Sequence, residues 1–163
     1  MSSFDRRFFL IGAAALTGCG FTPSYSSRGG AAGLINNVEV EAPGDHLDYI
    51  LVRELEDQLG RAGAAAEYAL SLSVDTRRES MAITIDGRTN RFDLIGEATY
   101  ALRSRETNEV VTSGKVDNFT SYSTSGTSVS TLAGETDAEE RLMRILASRI
   151  VTDLQAFAAT TPL

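Results

Sequence analysis

The amino-acid sequence predicts an α+β two-layer sandwich, with two helices packed on one face of a four-stranded mixed sheet in the order β-α-β-β-β-α. Three observations predict it. Two segments carry a single apolar stripe at helical spacing: Leu47, Leu51, Leu55 and Leu59 in one, and Leu142, Leu146, Ile150, Leu154 and Phe157 in the other. The segments between them alternate apolar and polar residues, the period of a strand with one buried face. Turn-forming residues punctuate those strands. One-sided helices and a one-sided sheet bury their apolar surface only against each other, which gives two layers.

Taken in order, Leu34 to Glu41 reads as the first strand, ended by Pro43-Gly44. Asp45 caps the first helix, which runs to about Gly60, and Gly60 and Gly63 stop it. Tyr68, Leu70, Leu72 and Val74 then point to one side of a strand. At Met81, Ile83 and Ile85 the apolar residues move from even to odd positions. A change of phase by one residue exchanges the faces, so a bulge or bend is expected between Thr76 and Ser80. Asp86-Gly87 is a hairpin signal. Phe92, Leu94, Ala98, Tyr100 and Leu102 build the returning strand, a turn at Arg105 to Asn108 follows, and Glu109 to about Tyr122 is the fourth strand. Ser123 to Gly134 reads as a long polar loop. Thr136-Asp137-Ala138-Glu139 matches a capping box opening the last helix. The first two strands should be parallel. The Asp86-Gly87 hairpin and the Ser123 to Gly134 loop then share one end of the sheet, where binding usually sits.

The N-terminus sets the compartment. Arg6 and Arg7 precede an apolar run, Phe8 to Leu16, and small residues lead to the lone cysteine, Cys19. The run falls short of the roughly 20 apolar residues a membrane-crossing helix needs, and it has no polar face to suit a helix of the folded domain. Charged start, short apolar middle and small-residue cleavage zone describe a secretory signal over residues 1–18. Leu16-Thr17-Gly18-Cys19 resembles the lipobox of bacterial lipoproteins, which implies cleavage before Cys19 and acylation of it. A single chain anchors only marginally at ~0.8 kcal/mol per buried methylene, so a stable tether needs two or more. Asp5-Arg6-Arg7-Phe8-Phe9-Leu10 also looks like a twin-arginine signal, and paired arginines occur in ordinary secretory signals as well; both export routes stay open. Residues 19–33 are rich in Ser, Gly and Ala and read as a flexible tether. Residues 34–163 form the domain, of a size that supports one core.

Composition excludes several chemistries. The chain carries a net charge of −7, which argues against general nucleic-acid binding. A single cysteine and a single histidine, His46, cannot build a Cys/His zinc site. No Gly-x-Ser-x-Gly element or phosphate-cradling glycine loop is present. His46, at a helix start, reads as solvated or capping. Asp45 with Asp48, and Glu54, Glu56 and Asp57, read as the wet face of a helix. No catalytic residue, metal or cofactor is therefore expected. The basic residues are more suggestive: Arg77, Arg78, Arg88, Arg91, Arg103 and Arg105 punctuate the sheet. Arginine's planar fork suits phosphate, whereas charged strand edges also prevent aggregation. Edge protection is the expected role of Arg103 and Arg105. For Arg88 and Arg91, at the loop-bearing end, the two roles stand level.

Cys19-Gly20-Phe21-Thr22-Pro23-Ser24-Tyr25 resembles the mature start of lipopolysaccharide-assembly lipoproteins of the LptE family. The similarity continues through Arg53-Glu54-Leu55, Thr89-Asn90-Arg91-Phe92, Ala98-x-Tyr100-x-Leu102 and Ala147-Ser148-Arg149-Ile150. The resemblance implies two helices on a four-stranded sheet, and residence on the periplasmic face of a Gram-negative outer membrane, which Gly20 after the cysteine fits. It implies a non-enzymatic plug inside a large β-barrel of the LptD type, helping it assemble and deliver lipopolysaccharide. It also implies contact with lipopolysaccharide, which the acidic balance confines to local sites, Arg88 and Arg91. An accessory lipoprotein of another lipid-transport complex and a lipid-anchored hydrolase are the alternative classes.

Overall fold

The computed structural model describes residues 30–62, 65–83, 89–124 and 127–161. A 3₁₀ turn, Gly30–Gly33, precedes β1 (Val38–Val40), α1 (His46–Leu59), β2 (Tyr68–Ile83), β3 (Thr89–Ser104), β4 (Val110–Ser123) and α2 (Ser128–Thr160). The order is the β-α-β-β-β-α read from the sequence. The four strands form one sheet in the order β1-β2-β3-β4, with β1 parallel to β2 and the other pairs antiparallel.

The even-numbered side chains of the strands meet the helices. Leu70, Leu94, Ala98, Tyr100, Leu102 and Val116 pack with Ile50, Leu51, Leu55 and Leu59 of α1 and with Leu142, Leu146, Ile150 and Leu154 of α2. These are the residues of both predicted stripes, save that Leu47 and Phe157 are only half-buried, with Ile50 and Ala158 completing the contact. Each fully buried leucine contributes ~1.5–3 kcal/mol relative to exposure, so the stripe-to-sheet contact is what holds the two layers together. Asp45 caps α1 by accepting the Asp48 N–H at 2.9 Å, and Gly60 closes it.

Four expectations are corrected. The first strand is three residues long, because Asn36 turns the chain in the left-handed region (φ 57°) and donates its N–H to the Leu59 carbonyl at 2.8 Å. Asn37 fixes that turn by accepting the Glu67 N–H and donating to the Glu67 carboxylate. The phase change in β2 falls just beyond the expected segment. Pairing with β3 is regular through Ser80, and the register shifts on either side of Ala82. Asp86-Gly87 and Gly63 lie outside the described residues.

The third and fourth corrections concern α2, which starts at Ser128 rather than at Thr136. Thr127 is its cap, accepting the Ser130 N–H at 3.3 Å. Thr136 lies inside the helix and returns its hydroxyl to the Leu132 carbonyl at 3.1 Å, so the capping box is not used as one. The turns that follow this Ser- and Thr-rich start are tied to the sheet. Arg78 of β2 pairs with Glu135, Thr120 donates to the Ala138 carbonyl, and Arg141 donates to the Ser121 carbonyl.

One buried hydroxyl ties the layers. Tyr100, 7% exposed, donates to Asp153 of α2 at 3.3 Å. Burial, then the Asp153 carboxylate, pushes its pKa up to about 12. A phenol whose folded pKa is raised adds stability below its ordinary pKa near 10 and loses it as pH rises through the folded value. The chain is therefore expected to lose stability between pH 10 and about 12. Thermal unfolding of the Tyr100→Phe variant should show a shallower loss over that window. Identical slopes would refute the assignment.

Candidate functional site

The antiparallel hairpin places the Ile83/Thr89 end of β2 and β3 beside the Ser123 end of β4, with Arg91 opposite Ser123. The hairpin end and the β4–α2 connection thus share one end of the sheet, as the topology read from sequence requires. α2 begins there too.

Two kinds of side chain gather at this end. Arg91 is exposed on β3 and has no ion pair among the described residues. Arg78 is held against Glu135 and lies over the ring of Tyr122 at 5.8 Å, and Tyr122 stacks on Phe92 with centroids 5.8 Å apart. A guanidinium fixed over an aromatic face and against a carboxylate is largely spoken for. Among the described residues at this end, Arg91 is the cation left to meet an outside anion. At the same end of the sheet, three large apolar side chains face solvent: Met81 at 58% exposure, Val129 at 76% and Leu132 at 65%. An exposed guanidinium at the same end of the sheet as exposed apolar groups suits an amphiphile with an anionic head.

Other residues singled out from sequence find ordinary roles. Arg88 and Cys19 lie outside the described residues. Arg103 sits on β3, an inner strand, so edge protection does not explain it; it lines a shallow depression of about 230 Å³ on the uncovered sheet face with Glu39, Ala69 and Ser71. Arg105 pairs with Glu39 of β1 at 2.8 Å. Asp45 and Asp48 serve the start of α1, the latter accepting the Gly44 N–H at 3.2 Å. Glu54 bridges Arg53 and Arg144, and Glu56 pairs with Arg61. His46 is exposed at the first position of α1. Among the described residues, no three metal-ligating side chains gather, and no helix is long and apolar enough to cross a membrane.

The sheet face away from the helices is uncovered and polar. Across it run Asp75, Glu97 and Asp117 in register, with Lys115 pairing Glu97 at 2.6 Å. The adjoining row is Arg77, Ile95 and Phe119, the last 58% exposed. Sequence reading missed Val129 and Leu132, because the serines and threonines around them read as loop. Their i,i+3 spacing behind Thr127 was the available signal.

None of the curated proteins matches the chain. Among solved structures, a protein of Caulobacter crescentus described as a lipoprotein is similar at 25% identity and TM-score 0.68, over 81% of this chain and 97% of that one. Two others share the fold. They are the rare lipoprotein B of Shewanella oneidensis (13% identity, TM-score 0.54, 74% and 92% covered) and a minor lipoprotein of Acinetobacter baumannii (19%, 0.56, 76% and 93%). The model of the LptE lipopolysaccharide-assembly family matches residues 35–154, nearly all of the sandwich just described. The chain belongs to the LptE lipopolysaccharide-assembly family.

Proposed function

We propose that the domain is the non-catalytic plug of a large outer-membrane β-barrel of the LptD type, helping it assemble and pass lipopolysaccharide to the cell surface. The observation that carries this reading is the family match across both helices and all four strands. In this reading residues 1–18 are a signal peptide, acyl chains on Cys19 hold the protein at the periplasmic face of the outer membrane, and residues 19–33 form the tether. The lumen of a large barrel is polar. A sandwich whose uncovered sheet face carries the Asp75, Glu97 and Asp117 row presents a polar surface of the kind such a lumen accepts. No cofactor and no bond-making are required.

Lipopolysaccharide would be met at the loop-bearing end, through Arg88 and Arg91. The exposure of Arg91, which has no ion pair among the described residues, and the exposed Met81, Val129 and Leu132 at the same end of the sheet support this. Purification of the acylated chain from envelopes in mild detergent should recover a large barrel protein in stoichiometric amount. Recovery of the lipoprotein alone would overturn the plug reading. With both arginines changed to glutamate, lipopolysaccharide affinity should fall ~10–100-fold, the loss expected for charge-assisted hydrogen bonds. Unchanged affinity would remove the two residues from the contact.

A further inference from the structure

The edge of the sheet along β2 is open for part of its length. Its outward backbone groups belong to even-numbered residues, since the Tyr68 N–H and the Leu70 carbonyl are bonded to Asn37 and Glu41, the residues flanking β1. The covered part ends at the Glu41 rung, 2.9 Å long, and Ala42, Pro43 and Gly44 then bend toward α1 beside Leu72. Beyond Leu72, the N–H and carbonyl groups of Val74, Thr76 and Arg78 turn to a side where no strand lies among the described residues. Every residue from Asp75 to Ser80 is exposed, and pairing with β3 is regular through Ser80. The charges along this stretch are left unbalanced. Asp75 faces Glu97 across the ladder and Glu79 faces Asp93, whereas Arg77 between them faces Ile95. Like charges directly opposite one another destabilise a sheet. Lys115 pairs with Glu97 at 2.6 Å and Ser121 donates to Asp93 at 2.6 Å, both from the β4 side. On the β2 side, Asp75 has no ion pair among the described residues, and Arg77 meets Glu79 in an exposed contact of small worth.

We propose that β2 takes an added strand here from a second protein, over Val74 to Ser80. The added segment carries basic, acidic and basic side chains at alternate positions, set opposite Asp75, Arg77 and Glu79. Strand addition satisfies the outward N–H and carbonyl groups of Val74, Thr76 and Arg78. In an antiparallel pair the odd-numbered residues then fall at the non-hydrogen-bonded positions, where facing side chains approach most closely. Cross-strand ion pairs form at each of them, on the open side of the two carboxylates that already face a carboxylate on β3.

Two nearer occupants do not fit. A second copy of β2, turned about Thr76, would set its Ala82 opposite Leu70, where Val40 is already paired and Glu41 already bonded. Residues 19–29 carry one charged side chain, Arg28, and do not supply the alternation. A contact this short belongs to the weak, reversible class. The inference does not rest on the plug reading: the added strand is detected on the isolated chain, and its failure leaves recovery of a barrel partner untouched.

The test adds two synthetic peptides to the full-length chain in a neutral detergent, Thr-Lys-Val-Glu-Val-Lys-Thr and its charge reversal Thr-Glu-Val-Lys-Val-Glu-Thr. The first should bind and slow amide exchange at Val74, Thr76 and Arg78. The second should bind about tenfold more weakly, because like charges then face one another along the edge. The triple variant Asp75→Lys/Arg77→Glu/Glu79→Lys should exchange the two preferences. Thr76→Pro, tolerated on an open edge, should weaken the first peptide about tenfold or more while circular dichroism stays unchanged. Failure of both peptides to bind at millimolar concentration would leave the charges as guards against aggregation and overturn the proposal. So would equal affinities for the two peptides, binding indifferent to Thr76→Pro, or binding that leaves the Val74, Thr76 and Arg78 amides exchanging as before.

Discussion

Replacing Gly60 with alanine is expected to destabilise the domain by about 3 kcal/mol, the upper end of the cost of forcing a side chain into a backbone region reserved for glycine. Gly60 closes α1 at φ 81° and ψ 152°. A Cβ at this position would lie 2.2 Å from the Asn36 side-chain oxygen and 2.9 Å from its Cγ. Asn36 is itself the residue that turns the chain ahead of β1, with its N–H on the Leu59 carbonyl. The end of α1 and the start of the sheet thus meet at one point, and the new methyl group would push them apart. Chemical denaturation should show a lower midpoint with little change in slope, the signature of lost stability rather than altered compactness. Adding Asn36→Gly to Gly60→Ala should recover the part due to collision and leave the backbone strain. An alanine variant as stable as the parent would mean that the turn is not built as described.

That junction shows where sequence reading succeeds and where it stops. Gly60 was legible as a helix stop, because Leu47 to Leu59 run at helical spacing up to it. The role of Asn36 was not, because Leu34 to Glu41 pass for one strand and the bonds that end it reach Leu59 and Glu67, distant in sequence. The same physics explains α2. Its buried stripe from Leu142 to Leu154 is periodic and legible, whereas Ser128 to Gly134 carries no such stripe and leads into Glu135 and Ala138, whose ties to β2 and β4 are distant in sequence. At the candidate site, Arg91 was marked by its place beside the Asp86-Gly87 hairpin at the loop-bearing end. That Arg78 is tied down while Arg91 is not depends on Glu135 and Tyr122, which reach Arg78 only once the fold is made.

The second large effect is expected where α2 crosses the sheet. Leu142 is fully buried above Gly96 of β3, and a Cβ on Gly96 would come within 2.8 Å of the Leu142 side chain and 3.2 Å of Leu146. The glycine is therefore a socket that lets the helix approach an inner strand. Leu142→Ala should cost ~2–5 kcal/mol, the range for emptying a core leucine site, and lower the melting temperature on the order of 10 °C. Gly96→Ala alone should cost ~1–3 kcal/mol by overpacking. Combined, the two changes should cost at least about 1 kcal/mol less than their sum, because the new methyl group enters space the leucine has vacated and neighbouring sites of this kind couple by that amount. Simple additivity would mean that the helix does not rest on β3 at this point. Since the start of α2, with Val129 and Leu132, is carried to the Arg91 end of the sheet by this same docking, the Leu142→Ala variant should also show faster amide exchange over residues 128–135 than over 146–154. A loosened socket would thus reach the candidate binding end through the rigid body of the helix.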